Sequence, residues 1–353
     1  MTRIAARGIE VGFAAELGRL EGLVVTDGGR RIAPLHRAPW VGTGEAMPED
    51  AEPLMAGLGG DFFCAPFAAS DEGSPLHGWP ANAPWHVLAE GPMTLRAVCS
   101  KPVRGAVLVK ELGLKDGHPF VYQRHVFVGG EGRMTAANHA NVSVPNGAHI
   151  RTSRKSHWET PATQQETDPA RGRSRIAPGA RAADPRAFPA ADGGQVDLTR
   201  YPWFDRTEDF AIGVEAAGNA LGWTAVTRPE EGDLYLSLRH PARVPMTMLW
   251  QSNGGRDYAP WSGRHVGCLG VEEGAAEHML GASDPADLSG PGALTLVPDG
   301  TAEMRHVTGA VAWPSGEPVA EVALGGAGLI IRGEGGALRE VPFDAGFLRL
   351  ETT

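Results

Sequence analysis

The chain has 353 residues, of which 42% are hydrophobic and 21% charged, with a formal net charge of −10. This is the composition of a globular protein that can bury a sizeable core. Its acidic balance argues against a nucleic-acid-binding surface, which needs clustered Lys and Arg.

Short apolar or alternating runs fill the chain from its start, separated by many of its 48 glycines and 28 prolines. This pattern is typical of β-strands joined by turns. We predict a hairpin at GLVVTDGGRRIAPLH around Asp27-Gly28. We predict a meander over LRAVCS, RGAVLVKELGLKDG, PFVYQRHVFVGG and RMTAANHANVSV. The two best short helical candidates are EVGFAAELGRLEG and EEGAAEHMLGA.

Residues 151–200 break this pattern because they are polar, Pro-rich and nearly free of aliphatic runs. A loop of this length inside a compact domain is usually functional or disordered. Strands are predicted again on both sides, so we expect one domain over residues 1–353 with an ordered surface excursion. A domain boundary at this segment is the alternative. The whole pattern predicts an all-β protein with two large, mostly antiparallel sheets and few short helices.

Targeting and redox features are weak throughout the chain. No run approaches the roughly 18 apolar residues of a membrane helix, and residues 1–24 lack the features of a secretory signal. Cys64, Cys99 and Cys268 are far apart, which predicts neither a disulfide framework nor a metal site. We therefore expect a reduced, cytoplasmic protein without metal, membrane or nucleic-acid partners.

Three stretches carry residues suited to chemistry. The first, residues 57–87, crowds aromatic and polar side chains near His77 and Trp79. The second is the NHAN strand, in which His139 has an ordinary pKa near ~6.5 and could act as an acid or a base. The third ends in Glu272 and Glu273, directly after an apolar strand where burial would raise a carboxyl pKa. Each has a plain structural alternative: a core tryptophan, a satisfied histidine and a solvated acidic loop.

Taken together, GGDFFCAPF, LHGWPANAPW, NHAN and GVEEG resemble, in order and spacing, the aldose 1-epimerase (galactose mutarotase-like) superfamily over about residues 20–280. The resemblance implies a β-supersandwich with a cofactor-free pocket for a sugar or sugar derivative. It implies that His139 is the catalytic acid and Glu272 the catalytic base. The family usually has Glu-Pro where this chain has Glu-Glu, so Glu273 competes with Glu272 for the role of base.

The same resemblance and its surroundings suggest the substrate-binding residues, and a homodimer remains open. The expected binding residues are His77, Trp79, Asn138, Asn141, Asp205, Trp250, Gln251, Asn253, Arg256 and Glu273.

The leading functional hypothesis is a carbohydrate epimerase that acts at C1 by acid–base ring opening and closure. A phosphosugar version would use arginines, with Arg30, Arg31, Arg256 and Arg264 as candidates. A non-catalytic sugar-binding protein and a polysaccharide lyase or hydrolase-like enzyme are the alternatives. A fold alone cannot choose among these functions.

Overall fold

Two large antiparallel sheets dominate the computed structural model, which describes residues 1–68, 73–276, 292–326 and 328–350. The prediction of an all-β protein with two large sheets and few short helices is confirmed.

The first sheet has eleven strands in the described chain, in the order β1-β2-β3-β5-β11-β22-β21-β18-β13-β14, with β4 paired to β3. Its strands are β1 (Thr2–Ala6), β2 (Ile9–Ala14), β3 (Arg19–Asp27), β4 (Arg30–Ile32), β5 (Asp61–Cys64), β11 (Ala136–Ser143), β13 (Lys155–Glu159), β14 (Arg181–Ala182), β18 (Glu208–Glu215), β21 (Met246–Ser252) and β22 (Cys268–Ala275).

The second sheet has nine strands in the described chain, in the order β17-β12-β19-β20-β24-β9-β8-β7-β6. Its strands are β6 (Trp85–Glu90), β7 (Thr94–Cys99), β8 (Val107–Gly113), β9 (Phe120–Val128), β12 (Ala148–Thr152), β17 (Arg200–Tyr201), β19 (Gly222–Arg228), β20 (Asp233–Arg239) and β24 (Thr301–Ala312).

The remaining elements are short. Three small sheets contain β10 (Gly132–Met134) with β23 (Leu294–Leu296), β15 (Phe188–Pro189) with β16 (Gln195–Val196), and β25 (Val319–Gly325), β26 (Gly328–Gly333) and β27 (Leu338–Pro342). The helices are α1 (Gly78–Asn82) and the 3-10 turns Pro53–Gly57, Pro185–Ala187 and Ala345–Leu348. Within the described ranges, none of these helices is long and apolar enough to span a membrane.

The predicted hairpin forms, and the predicted meander forms except for its last strand. Asp27 pairs with Arg30 across the β3–β4 turn, where Gly28 and Gly29 have φ of 56° and 79°. The meander corresponds to the antiparallel series β7-β8-β9 in the second sheet, and its last predicted strand becomes β11 in the first.

The helix prediction for EVGFAAELGRLEG is wrong, because these residues contribute to strands β2 and β3. Ile9, Val11 and Phe13 alternate with more exposed or smaller residues and all enter the same core, which is the period of a strand. The second candidate, EEGAAEHMLGA, is also wrong up to Ala275, which ends β22. Ala276 lies outside any helix or strand, and residues 277–282 of that candidate lie outside the described residues.

The polar segment 151–200 contains the short strands β13 to β16 and the start of β17. It extends the edge of the first sheet through β13 and β14, and it reaches the edge of the second through β17. Strands before and after it pair with one another, as β12 does with β19.

The two faces of β11 lie in different environments. Asn138 donates a hydrogen bond to Gln123 of the second sheet, and Ala140 and Val142 pack between the sheets. We call this side the interior face. Ala137 packs with Phe62 on the opposite side, which we call the outer face. The candidate site lies there.

Candidate active site

A cavity of about 560 Å³ opens on the outer face of the first sheet. This volume lies within the range of pockets that hold small molecules. The lining is mainly apolar and aromatic, as in most ligand sites. Its apolar members include Leu54, Met55, Leu58, Phe62, Phe67, Phe210, Trp250 and Trp261.

His139 and Glu272 line this cavity side by side. They occupy paired positions on β11 and β22, and 3.1 Å separates His139 Nε2 from Glu272 Oε1. Their side chains are only 5% and 2% exposed. A Cβ at Gly270 would stand 2.7 Å from Glu272 Oε1, so a glycine at this position leaves room for the carboxyl group.

Burial drives both partners toward their uncharged forms. Burial, reinforced by the nearby charge of Glu273, raises the Glu272 pKa well above its usual range. Burial, reinforced by His77, holds the His139 pKa well below its usual range. Burial thus favours an uncharged carboxyl group beside an uncharged imidazole. Such a pair can give one proton to a ligand and take another from it.

His77 lies beside this pair at the start of α1. Its φ of 64° is left-handed and turns the chain there. The Ala68 N–H donates to His77 Nδ1 at 3.3 Å, so the imidazole proton is on Nε2. The His77 and His139 rings are 5.4 Å apart and nearly perpendicular. Burial, with Arg256 adding to it, lowers the His77 pKa to about 4, so His77 is a neutral donor.

Two tryptophans and an arginine form one wall of the cavity. The Trp250 ring is 5.8 Å from the His139 ring, and its Nε1 donates to Glu208 at 2.9 Å. The Arg256 guanidinium lies 4.4 Å from the centre of the Trp261 ring. The wall thus offers both an aromatic surface and a positive charge to a ligand.

The polar segment 151–200 contributes to the same cavity through Gln165 and Arg171. Glu166 holds it in place, because its Oε1 accepts hydrogen bonds from Arg256 at 2.7 Å and from Tyr258 at 2.9 Å. The Arg171 guanidinium lies 3.9 Å from the centre of the Tyr258 ring. The excursion is therefore part of the site.

No family model and no curated protein sequence matches the chain. Solved structures do. A galactose mutarotase related enzyme from Lactobacillus acidophilus is 9% identical, with 88% of this chain and 96% of that one covered and a TM-score of 0.54. The GalM/aldose epimerase homologue from C. elegans is 12% identical, with 88% and 98% covered and a TM-score of 0.55. The chain has the galactose mutarotase-like fold.

The same fold forms part of a longer protein elsewhere. A TPR-domain containing protein from Parabacteroides distasonis is 13% identical over 87% of this chain and 46% of that one, with a TM-score of 0.55. Identities this low establish the galactose mutarotase-like fold and leave the activity to be argued from the site.

Of the predicted site residues, this fold brings five to the cavity: His77, His139, Trp250, Arg256 and Glu272. Three others, Asn138, Gln251 and Glu273, point away from it, because adjacent strand residues face opposite sides of a sheet. Asn138 contacts Gln123 and Glu273 contacts Arg239, both in the second sheet. Gln251 hydrogen-bonds Thr207 at 2.8 Å. Their expected place in the binding site is corrected accordingly.

Four more predicted residues lie outside the cavity lining. Asn141 is on the outer face but is fully buried beneath neighbouring chain, donating to the Gly60 carbonyl at 3.3 Å. Asn253 donates to a backbone carbonyl in a loop. Lys101 covers the Trp79 ring at 5.5 Å, and Asp205 is exposed at the surface.

Of the arginines considered for a phosphosugar, Arg256 alone lines the cavity; Arg30 and Arg31 are exposed on β4, and Arg264 pairs with Glu45.

Sequence reasoning missed several lining residues. Residues 48–58 supply part of the wall, including Asp50 and Glu52, although they carry no motif. Tyr258 and Trp261, which flank Pro260, were a usable signal because aromatic residues in a Pro-containing loop often line ligand sites.

Proposed function

We propose that the protein is a carbohydrate epimerase that interconverts the anomers of an aldose or aldose derivative. The observation that carries this proposal is the buried His139–Glu272 pair lining an aromatic cavity. General acid–base catalysis needs two groups of this kind within hydrogen-bonding reach of one substrate.

The chemistry proposed for the pair conserves protons. Glu272 removes the proton of the anomeric hydroxyl while His139 donates one to the ring oxygen, and the C1–O5 bond breaks. Rotation about C1–C2 presents the other face of the aldehyde. Transfer of both protons in reverse then closes the ring. This sequence requires a protonated His139 and an ionised Glu272 when the sugar is bound, and sugar hydroxyls that donate to Glu272 favour its ionised form.

The remaining lining supports sugar binding in this proposal. The neutral His77 offers an Nε2–H donor beside the pair, and Trp250 offers an apolar ring against which C–H groups can pack. The cavity lining includes Arg171 and Arg256 as well as Asp50 and Glu52, so it presents both positive and negative charges. A polyhydroxylated ligand can use donors and acceptors of this mixture at once.

The test is to follow pure α-anomers of a broad panel of aldoses by NMR as they approach equilibrium. We expect the protein to accelerate equilibration of at least one sugar. His139→Asn and Glu272→Gln should each lower that rate by roughly 10²–10⁴-fold, the usual contribution of a general acid or base. His86→Asn and Asp205→Asn are matched controls, because both side chains are exposed and lie outside the cavity lining.

Two results would contradict the proposal. Tight binding of a sugar without any acceleration would identify a non-catalytic binding protein. Release of products from oligosaccharides, lost in the same two variants, would identify a lyase or hydrolase instead.

A further inference from the structure

Behind the Trp250 wall lies a compact group of His36, His265 and Cys268. Each residue offers one ligand atom, and these atoms lie within 4.8 Å of one another. His36 follows β4, its N–H bonded to the Asn141 carbonyl at 2.7 Å. His265 ends the loop after β21, and Cys268 begins β22.

The protonation of His265 can be followed through a short relay. Ser252 Oγ lies 2.7 Å from Glu208 Oε1 and 2.6 Å from His265 Nδ1. When Glu208 is ionised its carboxylate only accepts, and the single hydroxyl proton of Ser252 then goes to Glu208. Ser252 Oγ then accepts from Nδ1–H of His265. This leaves a bare lone pair on His265 Nε2, an atom that is buried without a hydrogen-bond partner among the described residues.

His36 presents a second nitrogen of the same kind. Its Nε2 is also buried and has no hydrogen-bond partner in the described part of the chain. The two rings meet edge to face with centres 4.8 Å apart. An imidazole nitrogen with a free lone pair is a common metal ligand.

We propose that His36, His265 and Cys268 bind a Zn²⁺ ion through two imidazole nitrogens and one thiolate. Zinc takes imidazole and thiolate ligands at about 2.0–2.1 Å and 2.3 Å. A tetrahedral centre with those bond lengths separates its ligand atoms by about 3.3–3.6 Å. The widest pair here closes by about 1 Å on binding. The Ser252–Glu208 relay orients His265 as a carboxylate commonly orients a zinc-bound histidine.

Binding is accompanied by loss of the Cys268 thiol proton. The Cys268 S–H bond breaks, a sulfur–zinc bond forms, and the proton passes to solvent. The ion and thiolate together add one positive charge to the outer face.

The site has a consequence for the cavity. The loop between β21 and β22 carries Arg256, Tyr258 and Trp261, all of which line the cavity. His265 also stacks on Trp250, with ring centres 5.8 Å apart. Zinc would fasten the end of this loop to the first sheet and to the His36 segment, and so hold the wall in place.

The test uses the full chain, freed of metal and titrated with Zn²⁺ against a chromophoric chelator. We expect one equivalent to bind. Cys268→Ala and His265→Asn should weaken binding at least 100-fold. Cys99→Ala is the matched control, because Cys99 is equally a buried free cysteine but lies in the second sheet, and it should bind as the unmodified chain does.

Co²⁺ provides a second readout that does not depend on the folding of any variant. The unmodified chain should bind one Co²⁺ and show a thiolate-to-metal charge-transfer band. The proposal is overturned by the absence of stoichiometric metal, by a Co²⁺ complex without that band, or by equal affinity in folded Cys268→Ala. Equal loss of zinc in Cys99→Ala would overturn it as well.

Discussion

Glu272 and Glu273 are adjacent in β22, yet their carboxyl groups lie on opposite sides of the first sheet. Glu272 lines the cavity 3.1 Å from His139 Nε2. Glu273 is fully buried between the sheets, where its Oε1 lies 2.9 Å from Arg239 Nη1. The question of which glutamate can act on a ligand is therefore decided by the strand itself, and Glu273 is left with a structural role.

The two glutamates should separate activity from stability. Glu272→Gln replaces a carboxyl group whose uncharged form burial favours with an amide of similar shape, so we expect the free energy of unfolding to change by no more than about 1 kcal/mol. Glu273→Gln removes one of the two buried carboxyl partners of Arg239 and leaves Glu215 as the other. Breaking a buried pair costs roughly 3–5 kcal/mol, so we expect a loss of stability of up to that size. Denaturant unfolding and the anomerisation rate per folded molecule would measure both effects.

The expected pattern is loss of rate in Glu272→Gln and loss of stability in Glu273→Gln. If folded Glu273→Gln lost the same fraction of activity as Glu272→Gln, the two sides of the first sheet would not be independent.

Gly60 should be intolerant of any side chain. Its φ is +68°, and an added Cβ would overlap the Leu20 carbonyl oxygen. Gly22 has a similar φ of +61° but nothing within 4 Å of its Cβ position, which makes it a matched control. Left-handed backbone costs an alanine about 1–2 kcal/mol, and overpacking adds typically 1–3 kcal/mol.

We therefore expect Gly22→Ala to cost about 1–2 kcal/mol of unfolding free energy and Gly60→Ala roughly twice as much. The midpoints of denaturant unfolding would test this, provided that the unfolding free energy of each variant depends equally steeply on denaturant concentration. Equal destabilisation of the two variants would mean that backbone conformation, and not the contact with Leu20, constrains Gly60.

Asp61 predicts a specific pH dependence of stability. Burial raises its pKa from 3.8 to about 6, although Gln123 donates a hydrogen bond to it at 2.6 Å. A carboxyl group whose pKa is raised by folding contributes stability that is fully present below pH 3.8 and lost as the pH rises through 6. That shift is worth about 3 kcal/mol.

Asp61→Asn lacks this titration. The unfolding free energy of the unmodified chain minus that of the variant should fall by up to about 3 kcal/mol as the pH rises from 4 to 7. Urea unfolding at several pH values would measure it. A difference that stays constant or rises over this range would contradict the assignment.

Glu166 should control the order of the polar excursion. Its carboxylate accepts from both Arg256 and Tyr258, and its side chain is 7% exposed. Glu166→Ala removes both bonds and leaves Arg256 without its ion-pair partner, so we expect amide hydrogens in residues 163–173 to exchange at least about tenfold faster, equivalent to about 1.4 kcal/mol. Mass spectrometry of exchange would detect this change.

Glu159→Ala is the control, because Glu159 lies in the same segment but forms a more exposed pair with His157. Unchanged exchange in Glu166→Ala would show that other contacts of the excursion suffice to hold it.

The architecture was accessible from sequence because strands are local patterns, whereas the catalytic candidates came from the resemblance to a known family. The alternation in β9 and the Asp27-Gly28 turn identify their elements directly. The same alternation, applied one step further, separates Trp250 from Gln251 and His139 from Asn138, since only one residue of each pair can face the cavity. The avoidable error was therefore to predict both residues of each adjacent pair as site residues.

The walls of the cavity were not accessible in this way. Residues 48–58 and Gln165 approach the cavity through loops whose course is set by distant contacts such as that between Glu166 and Arg256. Neither stretch has a periodicity that a sequence could reveal. The helical candidate at EVGFAAELGRLEG failed because short apolar runs fit helix and strand about equally until packing decides.

The fully buried charges between the sheets have a consequence for how the strands find their partners. Arg239 of β20 meets Glu273 of β22 and Glu215 of β18, and Lys155 of β13 reaches Glu215 at 2.8 Å. A slip of β22 by one residue would carry Glu273 to the outer face and leave Arg239 short of a counter-charge, at a cost of several kcal/mol. A slip by two residues would keep hydrophobic residues such as Val271 and Leu269 between the sheets. These residues therefore impose a weaker penalty on such a slip. The ionic cluster thus favours the correct register of the strands, and this register keeps the carboxyl group of Glu272 opposite His139.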